Sequence, residues 1–152
     1  MNMRDDLVRV CRVMNEHRAE YLVIGGNACA LNGYVRATED IDLLVKDDDV
    51  NLERTISAIK TLLPGIKEEI TTQDIRDNIV LKILDEIEID ISINAWSLDY
   101  NEGLSDKKTI NIDGVDIPYI GIDALIKSKS TYREIDQWDV KILNEIKKSE
   151  KK

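Results

Sequence analysis

Residues 21–46, YLVIGGNACALNGYVRATEDIDLLVK, constrain the fold more than any other part of the chain. They read as an apolar strand, a Gly25-Gly26 turn, a short helix, a loop carrying Arg36 and Thr38, and a second strand bearing Asp40 and Asp42. Successive strand side chains point to opposite faces, so Asp40 and Asp42 share one face while Ile41, Leu43 and Val45 take the other. Two carboxylates held side by side repel unless a proton or a cation neutralises them, and a hard divalent cation such as magnesium prefers oxygen ligands of this kind. An Asp-x-Asp on its own is most often a pair of solvated acids at a strand end, so its meaning depends on what the rest of the chain brings to it.

The chain has 152 residues, the size of one domain, and residues 1–148 are expected to form it, with 149–152 as a disordered tail. Hydrophobic residues at 43% beside 34% charged ones suit a folded globule rather than a disordered chain. The formal net charge of -9 argues against a broad nucleic-acid-binding surface, which needs many cationic phosphate contacts, but leaves room for a local basic groove. No apolar run reaches the length of a membrane span, and the charged opening MNMRDD lacks a signal core, so a cytoplasmic protein without a membrane partner is expected. Cys11 and Cys29 sit among apolar residues and read as buried thiols rather than a disulfide. His17 is the only histidine, which excludes a histidine-rich zinc site and argues against a serine-histidine triad.

Met3, Leu7, Val10 and Met14 recur at helical spacing, predicting a packing helix over 3–18. A helix near 27–31 should stop at Asn32-Gly33. Asp47, Asp48 and Asp49 open a further helix lined by Leu52, Ile56, Ile59 and Leu63, and helix capping explains these acids more simply than a metal cluster. Residues 66–77 carry no clear pattern. Strands are expected near 79–84 and 87–93; in the second, Ile87, Ile89, Ile91 and Ile93 take one face, and Glu88, Asp90 and Ser92 the other. Asp113-Gly114 marks a structural hairpin closed by Pro118, Asp123 is placed as the cap of a helix through Lys129, and Ile135, Trp138, Ile142 and Ile146 mark a last amphipathic helix.

Asp90 changes the weight of the argument, because an acid in an isoleucine-lined strand is available to complete the Asp40 and Asp42 pair. Three carboxylates on adjacent strands can hold two metal ions roughly 4 Å apart, one activating a nucleophilic hydroxyl and one clamping a triphosphate, the centre that nucleotidyl transfer needs. No cation in those strands is expected nearer than Lys46. The side-chain-free Gly25-Gly26 turn lets backbone approach phosphates.

The combination of Gly25-Gly26, Arg36-x-Thr38-x-Asp40-Ile41-Asp42 and a later Asp90 resembles the nucleotidyltransferase superfamily related to polymerase beta, in particular the small nucleotidyltransferases grouped with abortive-infection toxins. The resemblance covers most of the chain and is strongest over 21–46; Leu125-Ile126-x-x-Lys129 followed by Arg133, Asp136 and Asp139 is similar to the family's C-terminal helical pattern. It implies an α/β fold with a small mixed sheet flanked by helices. It also implies magnesium or manganese on Asp40, Asp42 and Asp90, with all three as catalytic residues. A nucleoside triphosphate would lie against Gly25, Gly26, Arg36, Thr38 and Lys129, with Thr38 also shaping the loop. The acceptor would be a hydroxyl of RNA, protein or a small molecule, in a toxin-antitoxin or phage-defence setting with a partner protein. Many members have Gly-Ser at the turn, where the hydroxyl touches phosphate; here Gly26 stands in the serine's place, followed by Asn27. Two other readings stay open: a catalytically weak regulatory module of a two-protein system, and a small-molecule nucleotidyltransferase of the antibiotic-modifying kind.

Overall fold

Strand alternation dictates the layering of this chain. The computed structural model describes residues 2–150. Its strands are β1 (Tyr21–Ile24), β2 (Ile41–Val45), β3 (Leu81–Leu84), β4 (Glu88–Ser92), β5 (Asn94–Ala95), β6 (Leu98–Asp99), β7 (Lys107–Ile112) and β8 (Val115–Ile120). Six of them form one mixed sheet in the order β3-β4-β2-β1-β8-β7, and β5 and β6 form a separate two-stranded ribbon. The helices are α1 (Met3–Glu16), α2 (Gly25–Leu31), α3 (Asp49–Leu62), α4 (Thr72–Asp77), α5 (Tyr100–Leu104), α6 (Ile122–Ser128) and α7 (Glu134–Glu150).

Odd-numbered residues of β1, β2, β4 and β8, among them Val23, Leu43, Ile89, Ile91 and Ile117, bury one face of the sheet against α1, α3 and α4. Each such fully buried aliphatic side chain contributes roughly 1.5–3 kcal/mol. The other face carries Leu22, Ile24 and Leu44, covered by residues of α2, α5, α6 and α7 such as Cys29, Tyr100, Leu125 and Leu143. Asp42 shares this second face with Leu44, two residues along the same strand. The acids therefore lie at the edge of an apolar layer, where water is partly excluded.

Local chemistry fixes most helix starts. Asn2 caps α1 through Asp5 N, and Asp48 caps α3 through Asn51 N, so the acid triplet does cap its helix. Its neighbours Asp47 and Asp49 both bind Arg76. The unassigned segment 66–77 contains α4, opened by a reciprocal capping box between Thr71 and Asp74.

Four details depart from the sequence expectations. The 109–117 hairpin is part of the main sheet, since β8 lies parallel to β1 through Val23↔Tyr119. Pro118 does not close it but sits inside β8 opposite Thr109; its missing N–H is tolerated because the pairing of β8 with β1 is confined to that one pair. Asp123 does not cap α6, whose N-cap is Gly121; the carboxylate of Asp106 does this from a distance by accepting from Ala124 N at 3.0 Å. Finally, α7 buries Asp136, Asp139 and Leu143, whereas Ile135 and Trp138 of the expected apolar stripe are exposed. That inversion matters for the site. Residues 149 and 150 belong to α7, and 151–152 lie outside the described residues.

Candidate functional site

Parallel pairing of β2 with β4 puts Asp42 directly opposite Asp90, and antiparallel pairing of β3 with β4 puts Lys82 opposite Asp90. The row across the sheet is therefore Lys82, Asp90, Asp42 and then Ile24, all on one face. Asp40 stands one residue before β2 and joins them. Asp40, Asp42 and Asp90 each present a carboxylate oxygen within 4.8 Å of the others, which among the described residues makes them the one group of three that converges so closely. A register shift of one residue would have turned Asp90 into the isoleucine core, so the pairing of β4 is what assembles the group.

The loop between α2 and β2 fixes Asp40 by its backbone. Its carbonyl accepts from the Asn27 amide at 3.3 Å and from the Thr38 hydroxyl at 3.2 Å. Gly25 holds φ at +67°, a left-handed value that glycine adopts without strain, and a Cβ there would run into the Asp42 carboxylate. The turn is thus folded directly over Asp42. At Gly26 a Cβ would lie 2.7 Å from the Thr38 hydroxyl oxygen and 2.8 Å from its Cβ. The Thr38 side chain occupies the space that a serine at position 26 would fill, which gives a steric reason for the Gly26-Asn27 departure from Gly-Ser.

Electrostatics follow from this crowding. Burial raises the carboxyl of Asp42, to about 8, and repulsion from Asp40 together with the neighbouring Asp90 adds to it, against the opposing field of Lys129. Asp40 is raised for the same reasons, burial first and then its hydrogen bond and repulsion with Asp90, while Lys82 opposes. A site whose burial and mutual repulsion favour a proton on Asp42, and whose three acids offer only oxygen donors, fits a hard divalent cation. Lys82 was not anticipated: its Nζ donates to both Asp90 oxygens, at 3.0 and 3.2 Å, and lies 3.8 Å from Asp40 Oδ2. Lys46, expected to be the nearest cation, instead pairs with Glu20 and Asp48.

Arg36 and Lys129 meet on Asp139 of α7. Lys129, the C-cap of α6, donates to Asp139 at 2.9 Å and lies 3.8 Å from Asp136, and Arg36 approaches Asp139 at 3.3 Å. Asp136 in turn accepts from Arg133 and Thr131, both at 2.6 Å. The Asp139 side chain is 1% exposed and that of Lys129 is 9% exposed, so these are buried ion pairs rather than surface ones. Three cations against two acids leave one positive charge, and the Arg36 Nε has no hydrogen-bond partner.

The raised Asp42 carboxyl gives a pH signature. In metal-free buffer the folded chain keeps this proton up to about pH 8, whereas the unfolded chain loses it near the ordinary 3.8, so the folded state binds more protons in between. Stability should fall as pH rises from about 4 to 8 and level off above it. Divalent metal must displace the proton, so the metal-induced rise in melting temperature should grow over the same window. Melting curves against pH, with chelator and with magnesium or manganese, check both trends. A metal response that weakens as pH rises towards 8 would contradict the assignment.

No protein-family model matches the sequence, and no curated protein sequence matches it. Solved structures do. An antigenic nucleotidyltransferase-like protein from Paracoccidioides brasiliensis superposes with a TM-score of 0.58 at 17% identity, covering 91% of this chain and 73% of that one. A presumed nucleotidyltransferase from Thermotoga maritima gives a TM-score of 0.55 at 15% identity, covering 95% and 96% of the two chains. The chain has a nucleotidyltransferase-type α/β fold. Among the described residues no helix is long and apolar enough to cross a membrane.

Proposed function

We propose that this protein transfers a nucleoside monophosphate from a nucleoside triphosphate to a hydroxyl acceptor, with magnesium or manganese held by Asp40, Asp42 and Asp90. The observation that carries the reading is the convergence of those three carboxylates within 4.8 Å across β2 and β4 of such a fold. Bound metal would supply charge neutralisation on the phosphates and a lower pKa for the attacking hydroxyl. The acceptor oxygen attacks the α-phosphorus in line; the new P–O bond forms as the bond to the β-phosphate bridge breaks, and pyrophosphate leaves. Asp90 helps to take the acceptor proton. Most of the rate comes from positioning and from fixed charges.

The remaining residues hold the triphosphate. Gly25 and Gly26 offer bare backbone beside Asp42, and Thr38, lodged against Gly26 with its hydroxyl donating to the Asp40 carbonyl, shapes the loop that faces the triphosphate. Arg36, whose side chain is partly exposed, and Lys129, whose field reaches Asp42, form a positive wall stitched together by Asp139. The acceptor is a hydroxyl of RNA, a protein or a small molecule. By its resemblance the chain fits a toxin-antitoxin or phage-defence pair, and two buried free thiols suit the cytoplasm.

A second reading, a catalytically weak regulatory module, is favoured by the Lys82 ammonium on Asp90. Two variants separate them. Asp90→Ala should cut transfer at least about a hundredfold, as loss of an acid-base or electrostatic group does, while Glu88→Ala, exposed at the start of β4, should be nearly silent. Equal transfer rates in the two would remove Asp90 from the mechanism and leave the regulatory reading standing.

A further inference from the structure

The third strand of the site brings a cation that no reading of the acids alone foresees. Lysines on edge strands commonly point outward and block edge-to-edge pairing. Lys82 lies on the edge strand β3, but its register opposite Asp90 turns it onto the acidic face, where cross-strand Cβ atoms sit about 5 Å apart. Its side chain is 61% exposed along the way, and its ammonium ends on the two Asp90 oxygens and near Asp40. Among the described residues Asp42 makes no such ion pair, and a Cβ at Gly25 would run into its carboxylate.

We propose that Lys82 is a resident cation of the acidic centre, filling its outer side at Asp90 so that the three carboxylates together take a single divalent ion rather than two. This rests on the metal-dependent reading above. Charge count supports it: the three carboxylates carry three negative charges, and one divalent ion plus one ammonium carry three positive ones. A lysine ammonium suits the task, being a compact point charge with three donors on a flexible stem. It holds Asp90 and Asp40 in place before metal or nucleotide arrives. Lys82 is thereby a positioning residue for Asp90.

Counting bound manganese tests this without any turnover. Free manganese is measured by electron paramagnetic resonance during titration of the full chain, alone and with a triphosphate analogue that cannot be cleaved between its α- and β-phosphates. Wild type should bind one ion per chain at its acidic centre, over and above those the analogue binds in a protein-free control. Lys82→Met should take a second ion and bind the first at least about tenfold more tightly, because a positive charge has left the site. Lys82→Arg should return the count to one. Two ions in wild type, or one ion in Lys82→Met, would overturn the inference while leaving the metal centre intact. No ion in either protein would overturn the metal reading itself, and this inference with it.

Discussion

If the chain transfers nucleotides as proposed, Asp42→Asn should abolish that transfer, by about a thousandfold or more, yet leave a chain more stable than wild type in metal-free buffer at neutral pH. Both effects have one cause. Asp42 lies in the row between Asp90 and Ile24, under Gly25, where burial and repulsion from Asp40 and Asp90 both raise its carboxyl. Asparagine keeps the shape without having to take up a proton on folding at neutral pH, which removes that cost in the empty site while deleting a ligand on which the positioning of the triphosphate depends. Single-turnover kinetics and urea melts with chelator measure the two effects on one preparation. A stable variant that still transfers within tenfold of wild type would rule Asp42 out as a ligand, and a variant much less stable than wild type would assign it a structural role instead.

Asp139→Ala should produce the largest loss of stability that the structure foretells, about 3–5 kcal/mol, because it strips the partner from the buried Lys129 ammonium and from the partly buried Arg36. Lys129 and Arg36 both end on this carboxylate, and the Asp136 carboxylate, 3.8 Å from Lys129, is already engaged by Arg133 and Thr131. The penalty comes from the orphaned cations and not from a missing attraction, so removing the lysine as well should recover part of it. Denaturant midpoints for Asp139→Ala and for Asp139→Ala combined with Lys129→Met check this. A single-variant loss under about 1 kcal/mol would show that α7 does not depend on the network, and a double variant worse than the single one would show that Lys129 contributes by packing.

Much of this geometry is written in local patterns. The alternation of Ile89, Asp90 and Ile91 gives the face that Asp90 takes once β4 lies beside β2, and the Asp-x-Asp of β2 needs only strand periodicity to place both acids together. Gly25-Gly26 reads as a turn ahead of the helix from composition alone, whereas both residues form the start of α2 itself. Lys82 is harder, because its destination depends on the register of an edge strand with β4, and nothing local distinguishes a lysine facing solvent from one facing Asp90. The burial of Asp136 and Asp139 is hidden for a related reason. Hydrophobic periodicity directs attention to Ile135 and Trp138, whereas α7 turns its acids inward because Lys129, Arg36 and Arg133 wait there, brought by a distant loop, by the end of α6 and by the start of α7 itself. The ribbon β5–β6 and helix α5 leave almost no periodic signal, each strand being only two residues long; the Asp99–Glu102 capping box was the readable trace of α5. Asn27, which fixes the Asp40 carbonyl, likewise becomes visible only when the loop is closed.

Whether this chain moves a nucleoside monophosphate is measured directly by incubation with each α-labelled nucleoside triphosphate, magnesium and a cell extract, followed by sizing of the labelled product and assay of pyrophosphate. Label on an acceptor and an equal amount of pyrophosphate should appear with at least one triphosphate, and both should be lost with chelator or with Asp42→Asn. The size of the product then separates RNA, protein and small-molecule acceptors. A folded, metal-binding protein that transfers no label from any of the four nucleotides would contradict the account.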